Sequence, residues 1–206
     1  MRKRTRWLLS LCLLSPLALA LAQADFHGFQ VDQQLLDADQ KASYAGAPSA
    51  SLQGQLGIVE SVGLLPEQLA FFKQVRVVVD PALRGNPGVF TVRDGEGVVA
   101  VQPASFPDNK PILLHEFLHA YHYRVLTLQN AAIRDGFDAA KRAGVYPAAY
   151  QKAHFLENPK EYFAVTSTIY LFGKIQQPPF NCELLARNDP AYLAFLEKTF
   201  GHHDCH

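Results

Sequence analysis

Apolar positions along the chain change spacing several times, and the changes divide it into predicted elements. Residues 25–63 are polar, rich in Ala, Gln and Ser, and only 31–42 reads as a short helix. Residues 66–72 predict one or two helical turns. Val75-Arg76-Val77-Val78-Val79 is β-branched and predicts a strand that Asp80-Pro81 turns. Residues 89–92 and 98–101 predict two more strands around the turn Asp94-Gly95-Glu96-Gly97. Pro103 and Pro107 then interrupt regular structure.

Helical signals take over from there. Asp108 or Asn109 is suited to cap a helix that opens with Pro111 and runs to about Val125. Residues 127–143 predict a second helix, weakened in its middle by Gly136 and closed by Gly144; Pro147 starts a short helical stretch. Asn158-Pro159 opens a helix to about Phe172 that Gly173 stops, and Asp189-Pro190 opens a last one to about Phe200. Strands followed by a run of helices predict an α+β domain over 25–206, with no repeat or linker to divide it.

The first 24 residues predict a signal peptide. Arg2, Lys3, Arg4 and Arg6 precede an apolar run from Trp7 to Ala22, and both Ala20-Leu21-Ala22 and Ala22-Gln23-Ala24 offer small residues at −3 and −1. An uncleaved anchor is the alternative, but the run is short for a membrane span and carries Pro16. The expected product is secreted or periplasmic, without stable membrane insertion after cleavage.

Composition narrows the class further. Of 206 residues, 49% are hydrophobic and 18% charged, enough for a packed core and unlike a disordered chain. The leader removes four basic residues and no acidic ones, so the net charge falls from zero to about −4. That argues against a nucleic-acid partner bound by phosphate neutralisation. Cys182 and Cys205 remain, and an even pair in an exported chain predicts a disulfide, contributing about 3 kcal/mol in the chain-entropy model. The competing assignment groups Cys205 with His202, His203 and His206 around a second metal ion.

The chemistry concentrates in His115-Glu116-Phe117-Leu118-His119. Helical residues four apart lie about 40° apart around the axis and one turn along it. His115 and His119 therefore face one cation, and zinc accepts neutral imidazole at about 2.0–2.1 Å. Glu116, rotated by about 100°, reaches a water at the metal without occupying it, as a general base would. Apart from this trio, residues 111–123 carry no charge, and burying these groups unpaired would cost several kcal/mol. Two buried histidines with ordinary hydrogen bonds are the plain alternative.

Catalytic zinc takes three protein ligands and a water. His122 lies roughly 10.5 Å along the axis from His115, which suits packing or support more than ligation. Glu161, in Asn158-Pro159-Lys160-Glu161-Tyr162-Phe163-Ala164, is the better third ligand. Asn158 and Glu161 also have capping-box spacing, and the segment alone leaves both assignments open.

His115-Glu116-x-x-His119 followed by Asn158-x-x-Glu161-Tyr162-Phe163-Ala164 resembles the zinc metallopeptidases of the anthrax lethal factor catalytic-domain type, over about residues 103–172. The resemblance implies a small zincin-like domain, with short strands followed by an active-site helix and a glutamate-ligand helix. It implies one Zn2+ per chain held by His115, His119 and Glu161, with Glu116 as base. His154 stands where that family commonly has a tyrosine for oxyanion stabilisation; an imidazolium can donate the same hydrogen bond, and Tyr150 and Tyr162 are fallback candidates. Ala164-Val165-Thr166 also lacks an acidic residue often found after Phe-Ala, which weakens expected support for a histidine ligand.

The expected function is metal-assisted hydrolysis of a peptide or protein substrate, with residues 98–101 pairing an extended peptide along their edge. Two alternatives stand beside it. One is an inactive zinc-binding relative acting as a binding module. The other is an envelope metal-binding protein drawing on the eight histidines.

Overall fold

The structure, a computed structural model, describes residues 23–44, 46–107 and 110–204. Of the expected leader over 1–24, residues 1–22 lie outside them, and Gln23 and Ala24 open the first strand. The fold is α+β. Five strands form one mixed sheet in the order β1-β2-β3-β5-β4: β1 (Gln23–Phe26), β2 (Phe29–Asp32), β3 (Arg76–Val79), β4 (Gly88–Arg93) and β5 (Glu96–Val101). β4 and β5 form the hairpin expected around Asp94-Gly95. β5 then inserts between β4 and β3, pairing antiparallel with one and parallel with the other.

That insertion corrects the expected peptide-binding edge. Val98, Val99, Ala100 and Val101 are each 2% exposed or less, and both edges of β5 are occupied. A strand buried on both faces reads as a continuous apolar run, and Val98-Val99-Ala100-Val101 is such a run. The sheet edge next to β5 belongs to β4.

The polar stretch over 25–63 is more structured than its sequence indicates. It supplies β1, β2, α1 (Gln33–Lys41) and α2 (Leu52–Ser61), and with α3 (Pro66–Gln74) these precede β3. Helices therefore come before the hairpin as well as after it. Asp39, on α1, explains how a polar segment finds one arrangement. Its carboxylate accepts hydrogen bonds from the Leu52 and Gln53 amides at 2.7 and 3.2 Å, capping a different helix.

The motif-bearing helix is α4 (Ile112–Tyr121), and it continues as a π turn over His122–Leu126 until Thr127 adopts φ +66°. No side chain caps it from Pro111, and Asp108 and Asn109 lie outside the described residues. Its first turn is instead tied by Gln55 of α2, which is fully buried. Gln55 Oε1 accepts from the Leu113 amide at 3.2 Å, and its Nε2 donates to the Lys110 carbonyl at 2.8 Å. Phe117 stacks on Phe29 and Phe72 with centroids 5.8 and 5.5 Å apart, fixing the face of α4 opposite the histidines.

Behind α4 run α5 (Ala131–Arg142), α6 (Pro159–Phe172), α7 (Cys182–Asn188) and α8 (Pro190–Phe200). α5 starts later than expected because Asn130, not Thr127, caps it. Gly136 has a packing reason: a Cβ there would lie 2.5 Å from the Tyr192 ring of α8. In α6 every residue from Tyr162 to Leu171 is buried, and Thr166 and Thr168 return their hydroxyls to helix carbonyls. No helix among the described residues is long and apolar enough to cross a membrane.

Because Gln55 bonds three backbone groups at once, the Leu113 amide and the Ser49 and Lys110 carbonyls, Gln55→Met should remove all three bonds with little change in volume. The expected loss is about 2 kcal/mol of stability, read as a lower urea midpoint at unchanged slope.

Candidate metal centre

α4 and α6 pack side by side, and the crossing brings one polar stripe of each together. His115 and His119 are one turn apart on α4 and direct their Nε2 atoms to the same point, 3.0 Å from each other. Glu161, in the first turn of α6, places Oε2 3.3 Å from each Nε2. Donors at zinc distances around a tetrahedron stand about 3.3 Å apart, so these three separations fit one such ion.

Glu161 does not close a capping box. Asn158 Oδ1 accepts from the Lys160 and Glu161 amides at 3.0 and 3.1 Å, which is the capping half. The Glu161 carboxylate points to the histidines instead. Its Oε2 is buried and receives no well-directed hydrogen bond, although three imidazole nitrogens lie within 3.3 Å. A carboxylate oxygen that His115 and His119 approach without satisfying suits a cation between the three better than a hydrogen-bond network. The ring nitrogens and carboxylate are the donor set zinc prefers, and these side chains fit it. Among the described residues this is the one group of three such donors.

Electrostatics separate the two carboxylates. Burial alone would raise the Glu161 carboxyl, but the imidazoles of His115 and His119 outweigh it and hold the group well below the ordinary carboxylate range. Glu116 goes the other way. Burial raises its carboxyl to about 7, against the opposing charge of His115 and a hydrogen bond from the Phe90 amide. That amide, on β4, donates to Glu116 Oε2 at 2.6 Å. Gly88 keeps the approach open, since a Cβ there would lie 3.1 Å from Ile112 and 3.6 Å from Glu116 Cγ.

His154 sits at the mouth, 45% exposed, on a turn of 3-10 helix ahead of α6. Its Nε2 is 2.9 Å from Glu161 Oε2 and its Nδ1 is 3.2 Å from Glu157. The fallback tyrosines are elsewhere: Tyr162 is fully buried and donates to Asp189, and Tyr150 packs on Phe180. His122 is 1% exposed and lies against Phe163, with neither ring nitrogen hydrogen-bonded; burial, His119 and Lys160 hold its pKa down to about 4. It is a packed neutral imidazole away from the ion position. Among the described residues, His115 and His119 make no further ring hydrogen bond, so the missing acidic residue after Ala164 has no replacement there.

The centre opens into a cleft of about 370 Å³ lined by β4, α4 and α6, and by Ile175, Gln176 and Gln177 beyond α6. Lys110 and Lys160 also line it. Sequence inspection missed the Phe90 amide, Gly88 and this rim. A backbone N–H has no side-chain signature, and rim residues are identified only by where the sheet edge ends up.

The tail does not assemble a second donor group among the described residues. His202 pairs with Glu197 at 2.8 Å, whereas His203 packs on Tyr170. Cys182 is buried at the start of α7, and Cys205 and His206 lie outside the described residues.

No protein-family model matches the chain, and no curated protein matches it. Among solved structures, the PRO-PRO endopeptidase (PPEP-2) from Paenibacillus alvei is similar, with a TM-score of 0.45 and 17% identity. The match covers 78% of this chain and 95% of that one. Likeness at that level decides neither fold nor chemistry, and the centre stands on its own geometry.

Two outcomes follow from that geometry. Glu161→Ala should lose tight zinc, so metal analysis of purified protein should fall from one ion per chain to well below one. In metal-free protein, Glu116 stays protonated to about pH 7 when folded and ionises near 4.5 when unfolded. Its contribution to stability is thus complete below the unfolded value and lost as pH rises through the folded one. Glu116→Gln should match wild type near pH 4 and be more stable above pH 7 by on the order of 3 kcal/mol, measured by urea denaturation with chelator present.

Proposed function

We propose that the chain is an exported zinc-dependent peptidase of the zincin type. The observation that carries this is the convergence of His115, His119 and Glu161 on one point, with Glu116 buried beside it and facing the same cleft. The likeness to lethal factor catalytic domains rests on the two sequence motifs.

Bound zinc supplies Lewis acidity, acidifying a water and polarising a carbonyl. Glu116 takes a proton from the attacking water. Its carboxylate is buried beside the ion position and lines the cleft, within reach of a water there. It then delivers that proton to the leaving amine. The Phe90 amide holds Oε2, so the other oxygen is the one left for water. His154, at the mouth, donates from Nε2 to the developing oxyanion, and Glu157 at Nδ1 orients the ring.

The peptide lies along β4. Antiparallel pairing alternates which residues face the neighbouring strand. Phe90 turns its amide away from β5, so Phe90 and Val92 direct main-chain groups outward while Thr91 faces β5. The Phe90 carbonyl and the Val92 amide and carbonyl are suited to bind an extended backbone.

The inactive-relative alternative draws on His154 standing in place of a tyrosine. Zinc-loaded wild type that cleaves nothing in a broad peptide library would select it. If the peptidase assignment holds, Glu116→Gln should keep one zinc per chain and lose about 10²–10⁴ in kcat on any cleaved peptide. His154→Ala should lose about 10²–10³ in kcat with KM little changed.

Export and the Cys182–Cys205 disulfide complete the proposal. Cleavage after Ala22 leaves β1 whole, whereas cleavage after Ala24 removes its first two residues. Intact mass of the unreduced exported protein should therefore give Gln23 as the first residue and no free thiol.

A further inference from the structure

Three large apolar side chains stand exposed among the described residues: Val92 at 43%, Val125 at 47% and Leu128 at 39%. They come from different segments. Val92 is near the end of β4, Val125 is in the π turn after α4, and Leu128 follows Thr127. Two of them, Val92 and Leu128, line a second cavity of about 230 Å³ together with Thr91 and Tyr123. That cavity shares Phe90, His119 and Lys160 with the metal cleft, so the two adjoin along β4. Their common wall is firmly held. The Phe90 ring packs against Tyr123 with centroids 5.6 Å apart, over Gly97, where a Cβ would lie 2.9 Å from the ring.

An apolar surface gathered at the margin of a polar cleft marks a binding surface. Its neighbours define the occupant. Val92 carries outward-facing main-chain groups and also walls the cavity, so a peptide bonded to β4 there presents a side chain to it. Phe90, Val92, Tyr123 and Leu128 give it an apolar side, and Thr91, His119 and His122 complete the wall. Lys160, which has no ion-pair partner among the described residues, stands on the divide and opposes a basic side chain. We infer that this cavity is a subsite for a large apolar residue of the substrate, on the Val92 side of the scissile bond. The inference rests on the peptidase proposal for the peptide's placement and adds the class of residue selected.

Binding tests it separately from catalysis. Zinc-loaded Glu116→Gln protein is titrated, by fluorescence anisotropy, into dye-labelled peptides that differ only by Leu, Phe, Ser or Lys at each position in turn. One position is expected where Leu or Phe binds about 10-fold tighter than Ser, with Lys weakest. Adding Leu128→Asp should erase that preference while the Ser peptide changes less than about two-fold, and Leu128→Ser should reduce it; both sites are exposed and folding is checked by zinc content. A flat scan, absence of measurable binding, or a preference that survives both changes at Leu128 overturns the inference. Wild-type hydrolysis of the same peptides is read in parallel. Apolar preference without cleavage would remove the peptidase proposal and leave the subsite standing.

Discussion

Burial of a polar stripe between two otherwise apolar helices is the constraint from which the rest of this structure follows. α4 is apolar around most of its circumference, and α6 is buried without interruption over ten residues. Both must pack deep in the domain, which carries His115, Glu116, His119 and Glu161 in with them. Polar groups held at the floor of a cleft between two packed helices need partners, and the buried Glu161 oxygen has no hydrogen bond from the imidazoles around it. The packing thus creates a position that suits a divalent cation.

The two carboxylates at that position have the same intrinsic chemistry and are driven apart by their surroundings. Glu161 faces imidazoles and stays ionised. Glu116, one residue along from His115, turns to the sheet edge, where burial dominates and a single amide holds one oxygen. Divergence of paired titratable groups is how a site assigns ligand and proton carrier to similar side chains. β4 contributes to both halves of the proposed chemistry, fixing Glu116 through Phe90 and presenting an unpaired edge alongside the cleft.

The N-terminal third supports this arrangement from behind. Gln55 ties the first turn of α4 to α2, and Asp39 caps α2 from α1. Phe29 and Phe72 stack on Phe117 and set the rotation of α4 about its axis. A helix rotated by one residue, about 100°, would turn both histidines from the cleft. The polar, weakly patterned segment is therefore what orients the motif.

The sequence by itself determined what is local. Helical spacing put His115 and His119 on one stripe, Asn158-Pro159 opened α6, Gly173 closed it, and the β-branched runs marked β3, β4 and β5. These features depend on neighbours within one or two turns, where propensity and capping act. Only the tertiary structure decided that Glu161 faces the histidines rather than closing its capping box, that β4 rather than β5 lies at a sheet edge, and that Gln55 caps α4. Each depends on how distant segments pack and in what order strands enter the sheet. Residue periodicity records which face is buried, but not what it is buried against.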